Sequence, residues 1–290
     1  MAGAGYKSWV DGDILTAADV NTYLMQQAVM VFADAAARTT ALPTPSEGMV
    51  SFLKDTNEIA VYDGSAWVVY AGRGYQYVQT VYFTSSGTFT KATYPWLRAV
   101  RVRVQGAGGG GGAALATSAT QLSAGGGGGG GCYAESFILA SSLSASVTVV
   151  AAAGGAGGTT GNGGTGGTSQ FGTLVTANGG SGGGFARDST LPIGAPSGDG
   201  SSTGVGDVVF AGSGGTAGML FSTALGNGCF AGAGGSSQLG GGAETRRENE
   251  PVADGNLYGG GGGGGAVGVS ASAENGGAGA AGIVIVELYA

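Results

Sequence analysis

Residues 154–168 read Gly-Gly-Ala, Gly-Gly-Thr, Thr-Gly-Asn, Gly-Gly-Thr, Gly-Gly-Thr. Gly155, Gly158, Gly161, Gly164 and Gly167 keep a strict period of three. The period returns at Gly212, Gly215 and Gly218 and at Gly276, Gly279 and Gly282. Three residues per turn is the repeat of the extended left-handed helix, which rises about 3.1 Å per residue and makes no hydrogen bonds within itself. A slack linker, collagen and packed polyglycine helices all fit glycine at this spacing. Collagen fails because the period is local and no proline lies between Pro95 and Pro192. A linker fits poorly, because linkers are usually Ser-rich and do not alternate with strand-like runs such as residues 146–151. In packed helices with two of three residues Gly, neighbouring backbones approach closely and satisfy each other's N–H and C=O groups sideways. The third residue then faces outward: Ala156, Thr159, Asn162, Thr165 and Thr168. The unbroken runs Gly125–Gly131 and Gly259–Gly265 are expected at the centre of the bundle, bonded on all sides.

The glycine is concentrated in one part of the chain. Of 66 glycines in 290 residues, 8 fall in residues 1–105 and 58 in residues 106–290. The whole net charge of −7 also lies in the second part, which carries 3 basic and 10 acidic groups. That balance opposes a nucleic-acid partner, which calls for a basic stripe. Histidine is absent, which removes imidazole bases, imidazole metal ligands and His-assisted nucleophiles. Cys132 and Cys229 stand 97 positions apart without a CxxC partner and are expected as buried thiols. Matches to GxGxxG arise by chance in such a composition, and none opens a helix with an acidic residue downstream. No catalytic residue, cofactor or metal is expected. No apolar run reaches 18 residues, so no membrane insertion is expected. The N-terminal residues lack the apolar core of a signal peptide, so a soluble chain made in a cytoplasm is expected.

The first part of the chain is ordinary in composition. Thr16 with Asp19 forms a capping-box pattern, and residues 17–38, free of Gly and Pro, predict a helix. Met25, Val29, Phe32 and Ala36 make one apolar seam; Val20, Leu24, Ala28, Val31 and Ala35 make a second. Two seams suggest burial among identical helices or against another domain. Pro43 and Pro45 stop the helix. Strands are expected at 49–53, 58–62 and 66–70, as a small meander with Ile59, Val61, Trp67 and Val69 on its inner face. Further strands are expected as a pair within 82–90 and at 97–105, 133–139, 146–151, 171–178 and 283–289. In residues 97–105, Val100, Val102 and Val104 alternate with Arg101, Arg103 and Gln105. The last strand, apolar on both faces, is expected at the centre of a sheet. The fold expected is thus mainly β with polyglycine helices. It comprises an N-terminal helix (1–42), a small meander (43–75) and a β-sandwich-like glycine-rich domain (76–290). Because Gly loses the most backbone entropy on folding, association of chains is also expected.

Residues 185–257 interrupt the glycine pattern with longer mixed segments, and loops on a rigid scaffold are the usual place for binding residues. Phe185, Phe221, Phe230 and Tyr258 offer flat contact surface. Glu244, Arg246 and Arg247 belong to the one dense charge cluster of this region, where the carboxylates of Glu244, Glu248, Glu250 and Asp254 raise the alternative of a glycosidase pair. Ion pairing with the flanking arginines explains the cluster more simply.

Residues 9–24 (Trp-Val-Asp-Gly-Asp-Ile-Leu-Thr-Ala-Ala-Asp-Val-Asn-Thr-Tyr-Leu), with Ser-Glu-Gly-Met-Val at 46–50 and Val-Tyr-Asp-Gly-Ser-Ala-Trp at 61–67, resemble the N-terminal module of minor tail proteins of bacteriophages, notably those of actinobacteria. Residues 83–90, 102–112, 130–135, 166–172 and 279–287 resemble the glycine-rich domain of phage tail fibres and adhesins. The resemblance covers about two-thirds of the chain and does not extend over 185–257. It implies polyglycine helices packed on strands, a homotrimer, and attachment to other tail proteins through residues 1–75. It also implies end loops that contact a host cell-surface glycan or envelope component, and a place in the virion tail after assembly in the host cytoplasm. A tail-associated glycan depolymerase and a cellular glycine-rich surface or matrix protein are the alternatives.

Overall fold

Thr16 caps the short helix α1 (Ala17–Asp19) through the expected reciprocal box: its hydroxyl accepts from the Asp19 N–H, and the Asp19 carboxylate accepts from the Thr16 N–H. The computed structural model describes residues 10–20, 28–70, 75–185, 194–221 and 228–290, and the chain divides into two units, residues 1–74 and 75–290.

In the first unit the expected helix does not run to residue 38. Residues Val29–Phe32 form strand β1, and helix α2 covers Ala35–Ala41 behind an Asp34 cap. The reason is tertiary. Val29, Met30, Val31 and Phe32 pair in parallel with Val50–Leu53 (β2), and β-branched residues give up little on entering a strand. Of the two predicted seams, Met25 and Leu24 lie outside the described residues. β3 (Glu58–Tyr62) and β4 (Trp67–Val69) complete a sheet in the order β1-β2-β3-β4. The predicted inner face is also corrected. Val61 pairs with Val68 and Phe52 with Ile59, so Ile59 and Val61 face one side of the sheet, while Trp67 and Val69 face the other. On the Trp67 side, the Arg38 guanidinium of α2 lies 4.3 Å over the indole ring and donates to the Ser51 hydroxyl at 3.0 Å.

In the second unit, β5 (Tyr77–Phe83) and β6 (Gly87–Thr90) were expected to pair with each other, but they belong to different sheets. The Thr84–Ser86 link crosses between them. The chain continues through β7 (Ala99–Gln105), β8 (Ser123–Ala124), β9 (Tyr133–Leu139) and β10 (Ser146–Val150). The expected strand 171–178 is a hairpin of β11 (Ser169–Phe171) and β12 (Val175–Ala177), turned at Gly172, whose φ of 54° admits glycine. β13 (Gly204–Val205), β14 (Val208–Phe210), β15 (Met219–Phe221), β16 (Gly228–Phe230), β17 (Ala266–Val267) and β18 (Ile283–Tyr289) follow. Two five-stranded sheets, β13-β12-β11-β10-β6 and β14-β9-β7-β18-β5, share one apolar core of Phe89, Val100, Val102, Val104, Val147, Val149, Phe171, Val175, Val284 and Val286. The unit is mainly β, and β18 lies inside its sheet between β7 and β5, as its two apolar faces predict.

Most strands of this sandwich continue at one end into a glycine tract, and the tracts are joined sideways. The tract after β7 shows the rule. Gly106, Gly109 and Gly112 donate to Cys132, Gly129 and Gly126; Ala107, Gly110 and Ala113 donate to Gly167, Gly164 and Gly161; Gly108, Gly111 and Ala114 donate to Ala280, Gly277 and Glu274. Its carbonyls accept from three further tracts: Gly108 and Gly111 from Gly155 and Gly158, Ala107 and Gly110 from Gly180 and Gly183, and Gly109 and Gly112 from Gly262 and Gly265. Each successive peptide thus turns to a new neighbour and returns to the first after three residues, so one tract has six neighbours. Gly125–Gly131 and Gly259–Gly265 are surrounded in the same way, and all three runs are fully buried. At these positions a Cβ has no room: one on Gly111 would fall inside the contact radius of the Gly263 carbonyl. On the outer layer Ala156, Thr159, Asn162, Thr165 and Thr168 are all exposed. The backbone amides are therefore satisfied without water, which a buried unpaired peptide would not allow.

Candidate functional site

The tracts alternate in direction, so they leave the sandwich and return to it. At their far end lie, among the described residues, 115–122, 159–160, 218–221, 228–230, 244–252 and 268–273. The chain enters this unit at the opposite end, where Gln76 and Ala290 exchange backbone hydrogen bonds and Tyr77 pairs with Tyr289.

Two short two-stranded sheets lie at the far end. β15 pairs with β16 and β17 with β8, over a small second core of Leu122, Ala124, Leu220, Cys229, Ala231 and Ala266. Strand alternation sends Leu220 inward and leaves Met219 and Phe221 exposed. Phe221 meets Phe230 edge to face at 5.5 Å, and the Arg247 guanidinium lies 5.7 Å from the Phe230 ring. The Arg247 main chain is fixed twice: it bridges to Phe230 in the β-sense, and its N–H donates to the Glu250 carboxylate at 3.0 Å. Arg246 pairs with Glu244 at 3.7 Å, with Glu244 left largely in water. Phe221, Phe230 and Arg247 therefore touch at the far end and form a patch of aromatic edges and a guanidinium group, while Glu244 and Arg246 lie at the same end and pair with each other.

Two predicted residues lie outside this patch. Phe185 is half-buried at the far end of its own tract, where its N–H donates to the Asn162 side chain. Tyr258 sits at the sandwich end of the rods, because Gly259 beside it pairs with Gly131 and Ala281, next to the starts of β9 and β18. Met219 was missed, although the exposed-buried-exposed alternation of Met-Leu-Phe pointed to it.

The carboxylates of the charge cluster hold backbone. Glu248 accepts from the Cys229 N–H at 2.7 Å, Glu250 from the Arg247 N–H, and Asp254 from the Ala278 N–H at 2.7 Å. Behind the patch Glu274 accepts from the Ala266 N–H at 3.0 Å, and burial raises its carboxyl above the ordinary range. Among the described residues no three His, Cys, Asp or Glu side chains group to hold a metal ion, and no helix is long and apolar enough to cross a membrane.

Cys132 and Cys229 are both free and buried. Burial, and then the charge of Glu248, push the Cys229 thiol up to about 12. An unfolded thiol ionises near 8.5. The stabilisation from keeping Cys229 protonated is therefore complete below pH 8.5 and is lost as pH rises towards 12. At pH 10 the loss amounts to about 2 kcal/mol. Urea midpoints at pH 8 and pH 10 are expected to fall further for the native chain than for Cys229→Ala, and an aromatic disulfide reagent at pH 8 is expected to titrate neither thiol before unfolding.

Residues 84–289 match the model of a family described as a glycine-rich domain. A search of curated proteins returned no match.

Proposed function

The chain belongs to the glycine-rich domain family, and from that premise we propose that it is a structural protein of a phage tail that presents the far-end loops to the bacterial surface. In this reading the tracts are polyglycine helices. A nine-residue tract such as 106–114 then spans about 28 Å, a rigid spacer between the sandwich and the loops. The single observation that carries the reading is the separation of ends: chain entry at Gln76 and Ala290 on one side, the Phe221–Phe230–Arg247 patch on the other. Residues 1–75 would attach to other tail proteins and to further copies of the chain. The virion is the place of action, after assembly in the host cytoplasm. The Phe221 and Phe230 rings supply faces for sugars, and Arg247 supplies donors for anionic envelope glycans.

The test is binding of the fluorescently labelled chain to a panel of actinobacterial cells. Saturable binding to some strains is expected, reduced at least tenfold by the double variant Phe230→Ala, Arg247→Ala and unchanged by Phe137→Ala on the outer face of the sandwich. Absence of binding across the panel, or equal loss in both variants, would overturn the reading. Release of reducing ends from the envelope glycan would replace it with the depolymerase alternative.

A further inference from the structure

The sheet of the first unit has two unlike faces. One carries Met30, Phe32, Ser51, Leu53, Ala60, Tyr62 and Trp67 and is closed by Arg38 of α2. The other is set by the register Val29–Val50–Val61–Val68 and Val31–Phe52–Ile59. Those seven positions are apolar without exception. Val29 and Val31 are each 56% exposed, Val68 51% and Ile59 42%. We infer that this valine-rich face is a self-association surface, on which the same face of a second copy of the chain packs sheet on sheet.

Three observations select that occupant. The open patch is on the order of 500 Å², at the upper end of what a monomer leaves in water and most of the roughly 800 Å² per partner of a stable interface. No charge lies on it, so a polar or ionic partner would be desolvated without compensation, whereas a second copy brings an equally uncharged face. The unit is also too thinly cored to stand alone. Among its described residues the buried apolar side chains are Met49, Leu53 and Ala60, and a domain of this size needs more. Packing two flat β-branched faces at about 10 Å supplies a second core. It costs little side-chain entropy, because Val and Ile are already stiff at χ1.

The inference rests on the self-association part of the proposal above and names its surface. It is tested on the whole purified chain by sedimentation equilibrium at micromolar concentration. The native chain is expected at a multiple of its 27.7 kDa mass. Val31→Lys and, separately, Val68→Lys are expected to weaken association at least 100-fold, while Thr39→Lys on α2 leaves it intact. Deuterium protection of residues 106–131 is read alongside, to show that the second unit stays folded. Because a lysine variant can fail by unfolding the first unit, a milder one is added. Val31→Cys is expected to give an intermolecular bismaleimide cross-link, since both native thiols are buried. A monomeric native chain, lysine variants that keep the native mass, or no cross-link through residue 31 would each overturn the inference. None of these outcomes alters the cell-binding result expected of the far-end patch.

Discussion

Replacing Gly128 by Ala is expected to lower the melting temperature by on the order of 10 °C, while replacing Gly161 by Ala leaves it unchanged or raises it. Both residues belong to tracts and both are glycine, so propensity alone predicts the same outcome for each. The difference lies in what a Cβ meets. At Gly128 it would fall on the Gly109 carbonyl, with the Gly110 carbonyl beside it; at Gly161 nothing lies within 4 Å. The Gly128 side is backbone on every hand, so no side chain can turn away to make room. The 125–131 tract must move off the 106–114 tract, which strains the bonds from Gly109 to Gly129 and from Gly112 to Gly126. Overpacking costs about 1–3 kcal/mol, and each buried peptide left without a partner a similar amount. A total of about 4 kcal/mol is a large share of the 5–15 kcal/mol that holds a domain. At Gly161 the added methyl only restricts the unfolded chain, which stabilises by about 0.4–1 kcal/mol. Differential scanning calorimetry of the two variants measures the contrast. Equal melting temperatures would mean that the tracts do not hold one another at contact distance.

The same steric rule explains how much of this fold was legible in the sequence. A tract with six neighbours needs glycine at nearly every position, and one with an open side tolerates Ala, Thr or Asn at every third. The period at 155–167 therefore marks two outer tracts on either side of the turn at 159–160, and the unbroken run at 125–131 a central one. Strands whose two faces differ, such as Val100–Val104, were equally plain, because period two has one structural meaning. Residues 29–32 were not. Val, Met, Val and Phe fit a helical seam as well as a strand, and the choice falls to a parallel partner at 50–53 that no local pattern announces. Nor does any pattern say that residues 84–86 cross from one sheet to the other. The misplacement of Tyr258 has a different cause. Its ring was judged by composition, yet its end of the rods follows from direction. The 274–282 tract must run inward to reach β18, so the 259–265 tract before it runs outward, and the residue preceding Gly259 stands at the sandwich. The far-end patch was half legible: its residues lie in the segments that break the glycine period, but the contact of Arg247 with Phe230 joins strand β16 to a turn 17 positions further along.

The junction between sandwich and rods depends on one side chain, and Gln105→Leu is expected to destabilise the chain by about 3 kcal/mol. Gln105 is the last residue of β7 and has no solvent exposure. Its position alternates with Val104, so it was expected to face outward with Arg101 and Arg103; it does so, but beneath the first turn of the rods. Its Nε2 donates to the carbonyls of Gly106, Gly131 and Cys132 at 3.1, 2.9 and 2.9 Å. The Cys132 carbonyl also accepts from the Gly106 N–H, but among the described residues Gly106 and Gly131 have no other donor to their carbonyls. These are the two places where the strand ladder has ended and the three-neighbour pattern of the rods has not yet begun. Backbone alone leaves both acceptors orphaned there, and a side-chain amide with two hydrogens is the group that serves both. Leucine matches the bulk of the side chain and removes the donor, so the cost is that of two buried carbonyls without a partner, each about 1–3 kcal/mol. Gln105→Glu is expected to cost more, since a carboxylate would face the same oxygens with no proton to give. Urea unfolding reads the size of the effect. Amide exchange reads its place, with protection lost first at residues 106–108 and 130–132 and retained at 125–128. A loss below about 0.5 kcal/mol in Gln105→Leu would mean that water reaches these carbonyls, and that strand and rod meet through solvent, not through this amide.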